Sequence, residues 1–105
     1  MENDLGSRIK NRRNKLNITM DELANRVGYT APARKTTIYN FEVGRNEISI
    51  SRLPSFATAL ETNLYYLLGL TDIDYLTDDD ILRLIKEYHE KKDSPNATPV
   101  DNTQS

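Results

Sequence analysis

At 105 residues the chain has room for one domain with one modest core. Its 37% apolar and 29% charged residues make a folding composition, and the absence of cysteine excludes a disulfide scaffold and thiolate metal sites. The net charge of −2 hides an asymmetry: residues 1–56 carry ten basic against six acidic side chains (+4), and residues 57–105 four against ten (−6), so a polyanionic partner would face the first half.

No stretch approaches the roughly 20 apolar residues of a membrane span. Met1-Glu2-Asn3-Asp4 lacks the basic and apolar regions of a signal peptide, and a cytoplasmic location is the expectation. Leu5 and Ile9 share a helical face and predict a first helix from about Leu5 to Lys15, broken at Asn17-Ile18. Thr19-Met20-Asp21-Glu22 reads as a capping box, in which the Thr19 hydroxyl accepts from the Glu22 amide and the Glu22 carboxylate returns a bond. Leu23, Ala24 and Val27 continue one apolar face, and Gly28 supplies the left-handed stop, so the second helix covers about Met20 to Val27.

The third helical region lies within Thr30 to Val43 and ends at Gly44. Ile38 and Phe41 share its inner face, while Thr36, Tyr39, Asn40 and Val43 point away. Two starts fit: Thr30 as cap with Pro32 in the first turn, or a loop through Arg34 with the helix beginning near Lys35. After a polar loop over residues 45–50, Leu53, Phe56, Ala57 and Leu60 form a fourth stripe, with Ser51 as cap and Pro54 in the first turn. Asn63 caps a short fifth helix carrying Leu64, Leu67 and Leu68 and stopping at Gly69.

Thr77 caps a sixth helix, whose first turn holds Asp78, Asp79 and Asp80 at the positive end of the dipole, with Lys91 and Lys92 near the negative end. Ile81, Leu84, Ile85 and Tyr88 form its apolar face, which either packs on the domain or meets a partner; self-association is the favoured expectation. The polar composition from Asp93 onward predicts a disordered tail or linker. The expected organisation is a DNA-binding unit over 1–69, a helical extension over 70–92 that can dimerise, and a tail over 93–105.

Two short helices meeting at a tight Gly28 turn, the second with a polar outward face, have the layout of a helix-turn-helix. Along the chain stand Leu5-Gly6-Ser7-Arg8-Ile9-Lys10-Asn11-Arg12-Arg13, then Thr19-Met20-Asp21-Glu22-Leu23-Ala24, then Thr37-Ile38-Tyr39-Asn40-Phe41-Glu42-Val43-Gly44-Arg45. Leu53 to Leu60 and Leu64 to Gly69 follow. In these segments, order and spacing together, the chain resembles the Xre/Cro type of lambda-repressor-like regulators. Gly28 to Ile38 is several residues longer than the usual pattern, and the loop after Gly44 slightly longer. The resemblance implies an all-α, five-helix domain, here extended by an amphipathic helix. It also implies double-stranded DNA as partner, and a homodimer on a palindromic operator whose half-sites lie about 34 Å apart.

A helix fits the major groove with its leading residues on base edges. The Asn40 amide both donates and accepts, which suits adenine; Lys35 donates to guanine or phosphate; the Thr36 methyl meets thymine; the Tyr39 phenol reaches the backbone. Arg34 and Thr37 complete that helix's set, Arg34 and Lys35 depending on where it begins. Phosphate contacts are expected from Thr19 and Met20 at the start of the second helix and from Arg45, Asn46 and Ser49 in the following loop. In the family that the chain resembles, the positions of Arg13 and Glu42 commonly form a salt bridge, which assigns both a structural role; Arg13 on a phosphate is the competing reading.

Neither catalysis, a cofactor nor a metal is expected. His89 is the one histidine and sits on a polar face, the three aspartates are explained by the dipole, and no phosphate loop or nucleophile motif occurs. The competing class is a protein-interaction module or antitoxin. A DNA reader needs residues 35–46 basic and polar on their outer face, whereas an adaptor would expose apolar groups there; Tyr39 and Val43 keep that class open.

Overall fold

A computed structural model of the chain describes residues 4–30 and 32–93, which form six α-helices and no strand among those residues. The helix α1 (Leu5–Lys15) starts at Asp4, whose carboxylate accepts from the Ser7 amide at 2.8 Å. It stops where Asn17 turns left-handed at φ +60°, a conformation that asparagine tolerates better than most residues. The helix α2 (Met20–Val27) is capped by the Thr19 hydroxyl, which accepts from the Glu22 amide at 3.0 Å. The return bond of the capping box does not form, because the Glu22 carboxylate accepts from Arg26 one turn later. Gly28, at φ +105°, closes α2, with the amides of Gly28 and Tyr29 donating to the Ala24 carbonyl.

The helix α3 (Arg34–Glu42) begins one residue before the later of the two predicted starts, and Thr30 is not its cap. Ala33 stands at the cap position without a side-chain bond. A 3-10 turn over Ile50–Arg52 then runs directly into α4 (Leu53–Ala59), with Pro54 in its first turn. Ser51 falls inside that turn and pairs with the Ser49 hydroxyl, so it does not cap α4. The Asn63 side chain accepts from the Tyr66 amide at 2.9 Å and caps α5 (Leu64–Leu67); Leu68, predicted on its apolar face, is exposed.

Ile9, Leu23, Ala24, Ile38, Phe56, Leu60 and Leu67 form a core excluded from solvent, each helix from α1 to α5 supplying at least one of them. Tyr29, Phe41 and Phe56 meet at its edge with ring centroids 5.8–6.3 Å apart. Gly6 lets α1 lie directly against the end of α3: a Cβ there would sit 2.5 Å from the carbonyl oxygens of Phe41 and Glu42.

The segment after Gly69 is strapped to this unit. Arg8 Nη1 donates to the carbonyls of Tyr66 and Thr71, both at 3.0 Å. The Thr62 hydroxyl donates to the Asp74 carbonyl at 2.7 Å, and Asn63 Nδ2 donates to the carbonyls of Ile73 and Leu76. Asn63 therefore caps α5 with its oxygen and holds the strap with its nitrogen.

The helix α6 (Asp78–Asp93) opens with a complete capping box, the Thr77 hydroxyl accepting from the Asp80 amide and the Asp80 carboxylate from the Thr77 amide. Asp78 also accepts from the Leu64 amide, which joins the root of α6 to the start of α5. Beyond Ile81 every residue to Lys92 is exposed. The expected disordered tail falls outside the described residues except for Asp93, the last residue of α6. The architecture is all-α, a lambda-repressor-like five-helix arrangement followed by an amphipathic sixth helix.

Candidate nucleic-acid interface

The outward side of α3 carries Lys35, Thr36 and Tyr39 in solvent and Asn40 half-buried. Ile38 on the opposite side is wholly buried, so this face is fixed by the core. Gly44, at φ +80°, turns the chain back across the end of α3. There the amides of Arg45 and Asn46 both donate to the Asn40 carbonyl, at 2.8 and 3.2 Å. Arg45 Nη1 lies 3.4 Å from Asn40 Oδ1, and the loop's cation thus stands beside the predicted base-reading amide. Asn46 and Ser49 are exposed on the same loop, Ser49 with its hydroxyl on Ser51.

The leading end of α3 is tied to the start of α2. Arg34 donates through Nε and Nη2 to both carboxylate oxygens of Asp21, at 3.1 and 3.0 Å, across thirteen residues of chain. Asp21, in the first turn of α2, therefore lies next to the first turn of α3. Thr37 differs from its neighbours: its hydroxyl donates to the Ala33 carbonyl at 2.8 Å, one turn back along the helix. Met20 is partly buried against the core.

Behind this surface Arg13 Nε donates to Glu42 Oε2 at 2.6 Å, Nη2 donates to Oε1 at 3.1 Å, and Nη1 donates to the Ile18 carbonyl. The Glu42 side chain is 2% exposed. Every guanidinium nitrogen of Arg13 is thus engaged inside the fold, and the pair ties α1 to the last turn of α3.

The charge count of the first half does not map simply onto a polyanion-facing surface. Arg12 donates to the carbonyls of Leu60 and Glu61 at the end of α4, Arg26 to that of Ala59, and Arg8 into the strap. Arg12 and Arg26 thus bond carbonyls at and just past the end of α4, where the helix itself supplies no donor. Arg52 stacks over the Tyr29 ring, 4.5 Å from its centroid. Lys35 and Arg45 are left as the exposed cations on the α3 side that bear no carboxylate partner among the described residues. Sequence reasoning passed over Asp21 as part of a cap; only the folded arrangement places it against Arg34.

Asp74 collects charge on the far side of α1, with Lys15 Nζ at 2.7 Å and Arg12 Nη1 at 3.5 Å. Burial pushes this carboxyl up, but the Lys15 ammonium, with Arg12 behind it, outweighs burial and holds it below the usual carboxylate range. Among the described residues no cluster of histidine, cysteine and carboxylate groups could hold a metal ion, and no helix is long and apolar enough to cross a membrane.

A family model described as a helix-turn-helix domain matches residues 6–73, from the start of α1 to within the strap, and the chain belongs to that family. No curated protein and no solved structure matches it.

Proposed function

We propose that this helix-turn-helix protein is a sequence-specific transcriptional regulator of the Xre/Cro type, which lays α3 in the major groove of double-stranded DNA. The observation that carries the reading is the outward polar run of exposed Lys35, Thr36 and Tyr39 and half-buried Asn40 on a helix whose other face is locked into the core, continued by Arg45 and Asn46 in the loop that follows. Asn40 reads adenine; Lys35 and Thr36 read bases or take phosphate; Tyr39, Arg45, Asn46, Ser49 and the Thr19–Met20 amides hold the backbone. Arg34 joins them if it exchanges Asp21 for phosphate. Thr37 keeps a supporting place through its methyl group, since its hydroxyl is bonded inward.

The working unit in this reading is a cytoplasmic homodimer on a palindromic operator. Residues 1–69 form the DNA-binding part, residues 70–92 the dimerising extension, and the effect is repression of the phage or mobile-element type. The test is a salt titration of binding to random duplex DNA with the wild type, Arg45→Ala and Asn40→Ala. Affinity should fall steeply with salt, and the slope should shrink by about 0.9 in Arg45→Ala, the loss of one phosphate contact. Asn40→Ala should matter little on random DNA and should cost about 1–3 kcal/mol on a selected operator. A folded protein with no binding at low salt sinks the reading and moves the function to a protein partner, for which Tyr39 and Val43, 44% and 52% exposed, would be the anchor.

A further inference from the structure

The sequence of α6 gives it an apolar stripe, and beyond half-buried Ile81 no other helix among the described residues covers it. Ile81, Leu84, Ile85 and Tyr88 share one face at i, i+3, i+4 and i+7, flanked by Leu82. Leu82, Leu84, Ile85 and Tyr88 are 46–64% exposed, and among the described residues the Tyr88 ring has ring or cation contacts with His89 and Lys92 of its own helix. At the root of α6 the stripe runs into an apolar cavity of about 250 Å³, lined by Tyr65, Leu70, Ile73, Leu76 and Ile81. Tyr65, Leu70 and Ile73 are themselves largely exposed, so the cavity and the stripe make one continuous apolar surface.

Two features select the occupant. First, α6 is acidic at its start (Asp78, Asp79, Asp80) and basic at its end (Lys91, Lys92), so a second α6 laid antiparallel sets the aspartate end of each copy against the lysine end of the other and opposes the two helix dipoles. A parallel pairing would instead stack carboxylate on carboxylate. Second, an antiparallel pair centred between Leu84 and Ile85 puts each Tyr88 opposite the other copy's Ile81, at the mouth of the cavity. The interface is then isologous, with two identical cavities and two identical rings to fill them.

We infer that α6 pairs antiparallel with α6 of a second copy of this chain, and that the Tyr88 ring of each closes the apolar cavity at the root of the other. This rests on the homodimer of the reading above and gives it a surface; it does not rest on DNA binding.

The full chain is run by sedimentation velocity without DNA as wild type, Tyr88→Ala and Ile85→Asp. The wild type should be a dimer, and both substitutions should weaken it about tenfold or more, since each removes a buried contact. The thermal midpoint of the five-helix unit should hold, because both side chains are exposed in the single chain. The orientation is read by oxidative cross-linking in this cysteine-free chain. Ile85→Cys should link to itself, whereas Ile81→Cys and Tyr88→Cys should link only when mixed. A monomeric wild type overturns both the homodimer and its interface. A dimer indifferent to Tyr88→Ala and Ile85→Asp overturns the α6 interface alone, and self-linking of Ile81→Cys overturns the antiparallel arrangement. Loss of operator binding with the dimer intact would count against the DNA reading and leave this inference standing.

Discussion

Arg13 and Glu42 join α1 to the last turn of α3 through two parallel hydrogen bonds, 2.6 and 3.1 Å long, with the carboxylate almost wholly out of water. Such a pair is worth less than it costs to break, because removing one partner strands a desolvated charge. Glu42→Ala is therefore expected to destabilise the fold by about 3 kcal/mol or more, measured by urea unfolding. Gly6→Ala should also destabilise it by a separate route, its methyl forcing α1 away from the carbonyls of Phe41 and Glu42. If Glu42→Ala unfolds at the wild-type midpoint, the pair does not set the seat of α3.

The second expectation concerns Asp21, which holds Arg34 at the leading end of α3. Both groups are partly solvated, so the pair itself contributes little to stability. Its electrostatic consequence is larger: a carboxylate stands on the surface assigned to DNA and occupies a guanidinium that would otherwise be open to phosphate. Asp21→Asn should leave the thermal midpoint nearly unchanged, raise affinity for random DNA, and steepen the salt slope by about 0.9. The double variant with Arg34→Ala should lose that gain. Unchanged affinity in Asp21→Asn would place Arg34 away from the DNA.

The same pair shows where sequence reasoning runs out. The bounds of α1 and α2 were legible because local chemistry marks them: Thr19 caps, Gly28 stops, and Leu23, Ala24 and Val27 repeat on one face. The start of α3 has no such mark. Ala33 offers no capping oxygen, and what lies at that end is Arg34 on Asp21, a contact across thirteen residues that no window of sequence contains. The same holds for Arg8, Arg12 and Arg26, whose carbonyl partners are brought near only by packing α1 and α2 on α4 and α5. Counting charges registers the excess of cations but not which of them the fold consumes. Ser51 failed as a cap because Ile50–Arg52 is already wound as a turn, continuous with α4.

Acid should weaken the tie between the strap and α1 at the Asp74 carboxylate. Burial raises the Asp74 carboxyl and Lys15 with Arg12 lowers it more, so its pKa in the folded chain lies below that in the unfolded one. The stabilisation is fully present above the unfolded value, about 3.9, and is lost as pH falls through the lower folded value. Urea midpoints measured from pH 6 downward should fall less in Asp74→Asn than in the wild type, and the difference should be confined to the region below about pH 4. Parallel curves would show that Asp74 does not bear the load.

The last expectation separates the cations that build the fold from those offered to a partner. Arg12 is mostly buried, spends Nε and Nη2 on the carbonyls closing α4, and faces Asp74 with Nη1. Glu61, one of the residues it holds, is left-handed at φ +54°, so the contact restrains a turn that its own residue does not favour. Arg45 is exposed, and among the described residues its guanidinium bonds the Asn40 amide and no carboxylate. The two arginines have the same formal charge and should behave oppositely. Arg12→Ala should lower the thermal midpoint by several degrees, through about 1–3 kcal/mol of lost carbonyl bonding. At a temperature where the variant is still folded, its DNA salt slope should equal the wild type's. Arg45→Ala should keep the midpoint and lose slope. Should Arg12→Ala lose slope at full stability, α1 rather than the α3 side would face the polyanion, and the interface would have to be redrawn around Lys10 and the polar cleft of Asn11, Asn14 and Lys15.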